Sequence, residues 1–351
     1  MILILDSFFT GSHKYWGLEL KRRLPFNVDL LTLSGKHWKW RMEGGAYELA
    51  QKFKKLNVKP KIIIATDMVN IPLFYAFSEI TTEKIPCIMY FHENQFAYPI
   101  SNLDTDKVLK RDNHYSFINL TSALFVNQVV FNSEFNKNSF LKGADKLLKK
   151  LPKNNIERKI SNEQIIFPGV DVPRENLKKL SSTPTILWNH RWEYDKNPDL
   201  FIRGLKHLQN ISIPFKLIVL GKGTEKKEIK SKIEKQFKKE LIHCGYTENK
   251  KQYFKLLSEA THLPVTSMHD FFGIGVAEAM SYGCYAVLPN HQAYPEHLIN
   301  NSESGILYDY PDGFNTALEN SIIHNKKGTV KNEFLFENVI KKWTQLISSL
   351  C

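Results

Sequence analysis

At 351 residues the chain exceeds what one hydrophobic core of ordinary size fills, and its 42% hydrophobic and 24% charged content excludes a fibrous or disordered protein. No apolar run approaches the roughly 20 residues a membrane helix needs, so no integral membrane segment is expected, and four widely spaced cysteines (Cys87, Cys244, Cys284, Cys351) exclude a CxxC or zinc-type framework. The formal net charge of +12 suits an anionic partner such as RNA, a phosphorylated lipid or a nucleotide.

The first apolar stretch, residues 2–6, has no basic segment before it and is closed early by Asp6, so it reads as a buried strand and not as a signal peptide. Reduced thiols in a cytoplasmic protein follow as the economical expectation. Short β-type runs at 28–33, 61–66, 87–91 and 128–132 then alternate with segments of helical periodicity. A Lys-rich stretch containing Pro152 leads to 165–168, and the polar segment 173–184 is the expected linker. A second series of strands is expected at 185–189, 215–220, 241–245, 262–266, 285–288 and 305–308. Residues 333–349 place Phe336, Val339, Ile340, Trp343 and Ile347 at helical spacing.

This alternation predicts an α/β protein of two Rossmann-like domains, 1–172 and 173–332, followed by a C-terminal helix at 333–351 that packs back on the N-terminal domain. Ligands in open α/β sheets bind beyond the carboxyl ends of the strands, so the site is expected in a cleft where the two sets of strand ends face each other. Two segments hold most of the charge: residues 142–159 carry seven Lys or Arg against two acids, and residues 222–239 carry eight Lys against three. They fit either an RNA partner or a pair of solvated Lys-rich helices.

Two constellations carry chemistry. Trp188-Asn189-His190-Arg191-Trp192-Glu193-Tyr194-Asp195-Lys196-Asn197-Pro198 runs from a strand into a helix, with Asn197 or Asp195 as N-cap and Pro198 in the first turn. Arg191 and Lys196 flank that loop and could neutralise a diphosphate without a metal; a surface loop with two unrelated cations is the plain alternative. His269-Asp270-Phe271-Phe272-Gly273-Ile274-Gly275-Val276-Ala277-Glu278 likewise passes from a strand through a glycine-bearing loop into a helix whose first N–H groups would face an anion.

Arg191-x4-Lys196, Asp270-x7-Glu278 and Tyr294-Pro295-Glu296 resemble, in order and spacing, the donor-domain signature of family 4 retaining glycosyltransferases of GT-B fold. The resemblance assigns Arg191 and Lys196 to the donor diphosphate, Asp270 to the donor sugar and Glu278 to the ribose. It also places Gly221, Phe272, Gly273 and Ile274 at the donor, with Asp270 standing where the family usually has Glu. In the first half, Phe8-Phe9-Thr10-Gly11-Ser12-His13-Lys14 is expected to connect the first strand to the first helix, Gly11 allowing close approach of a phosphate or sugar. Trp38-Lys39-Trp40-Arg41, Tyr90-Phe91-His92-Glu93-Asn94-Gln95 and Phe131-Asn132-Ser133-Glu134-Phe135 are expected at strand ends. With the donor motifs, these look like the tRNA-queuosine α-mannosyltransferase family, from residue 2 to about 298.

That resemblance implies transfer of mannose from GDP-mannose, with retention and without a metal or other cofactor, to queuosine in a tRNA anticodon. It makes nucleotide sugar and queuosine-bearing tRNA the expected partners. His92 ranks first as the catalytic histidine near the donor sugar, above Glu93, His13 and His190; a structural histidine capping the strand is the alternative. The first domain is expected to hold the acceptor, through His13, Trp38, Trp40, Arg41, Glu93 and Asn94, although aromatics so spaced also suit a core. A lipid or polysaccharide acceptor, a nucleotide-sugar epimerase and a non-catalytic RNA-binding protein on the same scaffold remain the competing readings.

Overall fold

The structure is a computed structural model and describes residues 1–56, 58–99, 113–150, 160, 162–173, 183–221 and 227–350. The chain divides into two compact units, Met1–Pro168 with Glu337–Cys351, and Gly169–Phe336.

In the first unit six strands, β1 (Ile2–Phe9), β2 (Val28–Ser34), β3 (Ile62–Thr66), β4 (Cys87–Phe91), β5 (Gln128–Phe131) and β6 (Glu163–Ile165), form a parallel sheet in the order β2-β1-β3-β4-β5-β6. The register pairs Ile2 with Val28 on one side and with Ile62 on the other. β3 and β4 are buried at every position, as expected of strands covered on both faces, whereas the edge strand β6 begins with exposed Glu163 and Gln164. Helices α1 (Gly11–Arg23), α2 (Trp38–Lys55), α3 (Ile71–Ser78), α4 (His114–Phe125) and α5 (Glu134–Leu148) supply the crossovers. Local chemistry sets their starts: Asn70 accepts from Leu73 N ahead of α3, and Ser133 accepts from Asn136 N at 2.9 Å ahead of α5.

The second unit repeats the plan with β7 (Thr185–Trp188), β8 (Lys216–Val219), β9 (Leu241–Cys244), β10 (His262–Pro264), β11 (Tyr285–Pro289) and β12 (Gly305–Tyr308), in the order β12-β11-β10-β7-β8-β9. Its helices are α6 (Pro198–Asn210), α7 (Lys227–Gln236), α8 (Lys250–Glu259), α9 (Ile274–Ser281) and α10 (Phe314–His324). Alternation along β7 sends Ile186 and Trp188 into a cluster with Phe201, Phe237 and Phe314, and Leu187 into a cluster with Leu263, Val276 and Met280. From β7 the chain proceeds outward through β8 and β9, and from β10 it proceeds the other way. The crevice of this doubly wound sheet therefore lies at the carboxyl ends of β7 and β10. The corresponding reversal in the first sheet lies between β1 and β3.

The last helix, α11 (Phe336–Leu350), returns to the first unit, where buried Trp343 meets Trp16 at 5.9 Å and Tyr90 at 5.5 Å between ring centroids. Two expectations change. β1 continues to Phe9 through an irregularity after Asp6, because Phe8 N donates to Asp6 Oδ1 and turns the strand end; Phe8 and Phe9 therefore belong to the strand. Trp38 opens a helix, after His37 in the left-handed region, instead of ending a strand. Much of the expected linker, and residues 151–159 and 222–226 of the Lys-rich segments, lie outside the described residues.

Candidate active site

In the second unit, the loop after β7 and the loop after β10 meet on Lys196. Its Nζ donates to His269 O at 2.8 Å and pairs with Asp195 Oδ2 at 3.0 Å and Asp270 Oδ2 at 3.4 Å. A lysine this buried survives because two carboxylates offset its desolvation. Burial alone would lower its pKa, but Asp270 and Asp195 more than compensate and hold it above the ordinary lysine value. Asp270 behaves reciprocally: burial would raise it, but Lys196 and His190 pull it below the usual carboxylate range.

Asp270 is also a backbone organiser. Its Oδ1 accepts from Gly273 N at 3.0 Å, its own N–H donates to Gln292 Oε1 at 2.7 Å, and Tyr294 OH donates to Oδ2 at 3.4 Å. Gly273 takes φ 82°, which turns the chain into α9, and the first turn of α9 contains no acidic residue. The amides of Ile274 and Gly275 thus stand at the positive end of a helix beside a permanently charged lysine, an arrangement that receives phosphate. Farther along α9, Glu278 accepts from Tyr253 OH at 2.9 Å, and burial raises its pKa. Asn189 Nδ2 donates to Gly275 O at 2.8 Å and ties the two loops together.

The structure thus brings together Lys196, Asp270, Phe272, Gly273 and Ile274. Arg191 differs from them: its side chain is 64% exposed and pairs with Glu193 at 3.1 Å, close enough for Lys196 to feel its charge but outside the buried cluster. Gly221 follows β8 with φ 109°, and a Cβ there would fall on the His190 carbonyl oxygen. Gly221→Ala is therefore expected to destabilise the second unit by about 2–3 kcal/mol, read as a lower thermal midpoint. Sequence reasoning missed Gln292 and His297. Buried His297 shares a 2.6 Å hydrogen bond with Phe272 O, and neither residue belongs to a spaced motif that could have revealed it.

In the first unit, the ends of β1, β3 and β4 gather Asp6, His13, Asp67 and His92, all buried. His13 Nδ1 lies 3.0 Å from Asp6 Oδ2, and its ring stacks on His92 with centroids 3.9 Å apart. Asp67 Oδ1 accepts from His92 N at 2.8 Å. Burial by itself would lower the His13 imidazole, but Asp6, and behind it Asp67 and Glu93, raise it to about 9. Burial, reinforced by the charge on His13, drives His92 well below the histidine range. The stack is one imidazolium on one neutral ring. His92 Nε2 and Asp67 Oδ2 are buried without a hydrogen-bond partner, a cost that structural roles alone do not explain. Asp6 was legible only as the acid that closes the first apolar stretch, and Asp67, directly after β3, belongs to no motif of the sequence.

Gly11, expected at the donor, has φ 51° and open space where a Cβ would stand. The expected acceptor residues separate. Glu93, half-buried, accepts from Gln95 Nε2 at 3.3 Å. Asn94 is a correction: it is fully buried, its amide donates to Asn136 and Ser139, and its Oδ1 accepts from Phe96 N and Ala97 N, so every polar atom serves the loop itself. The Arg41 guanidinium gives its two terminal nitrogens to Glu48 at 2.7 Å and Ser34 at 2.9 Å, and its buried Nε has no partner. Trp38 packs on Tyr115 at 5.0 Å in a small apolar cluster with Met42 and Met68, as a core aromatic does. Trp40 alone of the pair faces solvent, 59% exposed.

Among the described residues, no group of three or more His, Cys, Asp or Glu side chains could hold a metal ion, and no helix is long and apolar enough to cross a membrane. Comparison with known proteins follows the same division of the chain. Residues 1–169 match the family described as tRNA-queuosine alpha-mannosyltransferase N-terminal, and residues 170–329 match glycosyl transferases group 1. The tRNA-queuosine alpha-mannosyltransferase of Drosophila melanogaster is 29% identical over 317 residues, covering 84% of this chain and 81% of that protein. Sucrose-phosphate synthase from Thermosynechococcus elongatus superposes with a TM-score of 0.73 at 13% identity, over 100% of this chain and 99% of that one. HepE of Anabaena in complex with UDP gives 0.68 at 13% identity, over 99% of each chain. At such identity these two structures speak to the fold alone, which is GT-B. Fold and family match together define a glycosyltransferase. The chain's first half belongs to the tRNA-queuosine alpha-mannosyltransferase N-terminal family and its second half to glycosyl transferases group 1.

Proposed function

We propose that this enzyme transfers mannose from GDP-mannose, with retention, to queuosine in a tRNA anticodon, acting in the cytoplasm. The observation that carries the reading is the Lys196 cluster at the switch point of the second sheet, in a chain whose first unit matches the family's own N-terminal part. The donor diphosphate sits over the first turn of α9, its charge met by Ile274 and Gly275 amides and by Lys196, with Glu278 on the ribose. All three Lys196 protons are engaged in the structure. The longest contact, to Asp270, is the one a phosphate displaces, and the carboxylate so released accepts from a sugar hydroxyl.

The acceptor oxygen then bonds to the anomeric carbon as the bond to the diphosphate breaks, and the acceptor proton passes to the departing phosphate oxygen. The lysine and the helix amides stabilise the charge that develops on the leaving group. His92, kept neutral, is the catalytic histidine of this reading, and His13 and Glu93 serve the acceptor. Because protein cations meet the diphosphate charge, transfer is expected to proceed equally fast in excess chelator; loss of activity with EDTA would point to a metal.

Purified protein incubated with queuosine-bearing tRNA and a panel of GDP- and UDP-sugars, followed by nucleoside mass spectrometry, tests the proposal. A hexose appearing on queuosine with GDP-mannose supports it. Addition from a different donor corrects the sugar, and no addition from any donor removes the tRNA acceptor.

A further inference from the structure

The face of α2 that carries Trp40 has a construction the transfer chemistry does not require. Gly44 lies one turn beyond Trp40, and a Cβ there would stand 2.7 Å from Trp40 Cζ2, so the benzo ring is laid directly over the bare helix backbone. A solvent-facing glycine inside a helix costs about 1 kcal/mol relative to alanine. What this one achieves is to hold an indole flat, with its other face open. Tyr47 stands one further turn along the same side, 50% exposed, and meets Phe77 of α3, 39% exposed, edge-on at 4.9 Å. The strip starts at the helix end that follows β2, on the side of the sheet where its strands terminate, and runs about 10 Å outward.

Its electrostatic setting is positive. Residues 36–55 include Lys36, Lys39, Arg41, Lys52, Lys54 and Lys55 against two acids, Glu43 and Glu48. Glu48 is taken up by Arg41 and Lys52, and Glu43 accepts from Tyr115 OH. Open aromatic faces within a cationic field match a single-stranded polyanion whose own units are flat rings. A membrane anchor would project its indole away from the helix, whereas this one lies against it.

We infer that Trp40, Tyr47 and Phe77 form a stacking platform for unpaired bases of the RNA acceptor. The inference rests on the proposed function. Trp40 is the most exposed of the chain's six tryptophans, the other four outside Trp38 being buried, so it can be read directly. Unmodified tRNA is expected to protect wild-type tryptophan fluorescence from acrylamide, and that protection should vanish in Trp40→Phe. Trp40→Ala and Tyr47→Ala are each expected to weaken tRNA binding about tenfold in fluorescence anisotropy. Gly44→Ala, which displaces the ring, should do the same. Nucleotide-sugar binding should be unaffected in all three.

Wild-type affinity in Trp40→Ala and Gly44→Ala, or protection given by anionic vesicles or by raised protein concentration instead of tRNA, overturns the platform. The wild-type transfer assay is the separate readout for function. If wild-type modifies queuosine while these variants bind tRNA normally, only the platform falls; if wild-type neither binds nor modifies tRNA, both fall.

Discussion

Lys196→Ala is expected to lower turnover about 10²–10³-fold and also to destabilise the second unit. The kinetic loss follows from removing a cation that the fold has already buried at the proposed phosphate position. The stability loss follows from what remains: Asp195 and Asp270 would face each other with no counter-charge, which costs about 3–5 kcal/mol for a broken buried pair. The substitution is therefore not silent in the fold. Adding Asp270→Asn to Lys196→Ala should recover part of the thermal midpoint and none of the activity. A Lys196→Ala enzyme with full kcat and unchanged midpoint would remove the residue from both roles. Arg191→Ala, by contrast, acts on an exposed side chain and is expected to leave stability unchanged.

Acidification is expected to unfold the second unit well before the chain's carboxylates titrate. Four of its histidines, His190, His262, His269 and His297, are held neutral at about 4, in each case chiefly by burial. Their folded values lie below the unfolded one near 6.5, so the unfolded chain binds more protons between these limits. Their contribution is complete above pH 6.5 and is lost as pH falls toward 4, at about 1.4 kcal/mol per pH unit for each group. In the first unit His92 adds to the same acid limb, while His13 acts in the opposite sense. Raised to about 9, His13 contributes fully below pH 6.5 and loses that contribution as pH rises through 9. Thermal midpoints recorded from pH 4 to pH 10 should decline on both sides of neutrality, with Asp6→Asn flattening the alkaline side. A profile level from pH 7 to pH 5 would show that these histidines take up protons without penalty.

Much of this was legible because period and punctuation are local properties. Apolar runs of four to six residues between helical segments placed eleven of the twelve strands described, the polar edge strand β6 being the exception, and Asn197-Pro198 marked the start of α6. Lys196, Asp270 and Glu278 were singled out because their motifs resemble the family 4 donor signature in order and context; their spacing alone is a weak signal. What escaped depends on tertiary partners. Nothing in Trp38-Lys39-Trp40-Arg41 says that Trp38 turns into a cluster, that Arg41 meets Ser34 and Glu48, and that only Trp40 faces water. Asn94 read as a strand-end polar group because its partners, Asn136 and Ser139, lie more than forty positions away, on α5. Gln292 and His297 were invisible for the same reason: each supports a loop that enters from elsewhere in the sequence.

The return of α11 to the first unit bears on how the protein matures. Residues 169–336 are contiguous and can reach their final packing as soon as they leave the ribosome, since domains form as units during synthesis. The first unit cannot, because Trp16 and Tyr90 wait for Trp343, and Trp16 lies edge-on to His92 with centroids 5.0 Å apart. The second unit is thus packed before the histidine stack is secured. A chain clipped after residue 336 would keep the contiguous second unit and lose the contacts of Trp343 with Trp16 and Tyr90 beside the histidine stack.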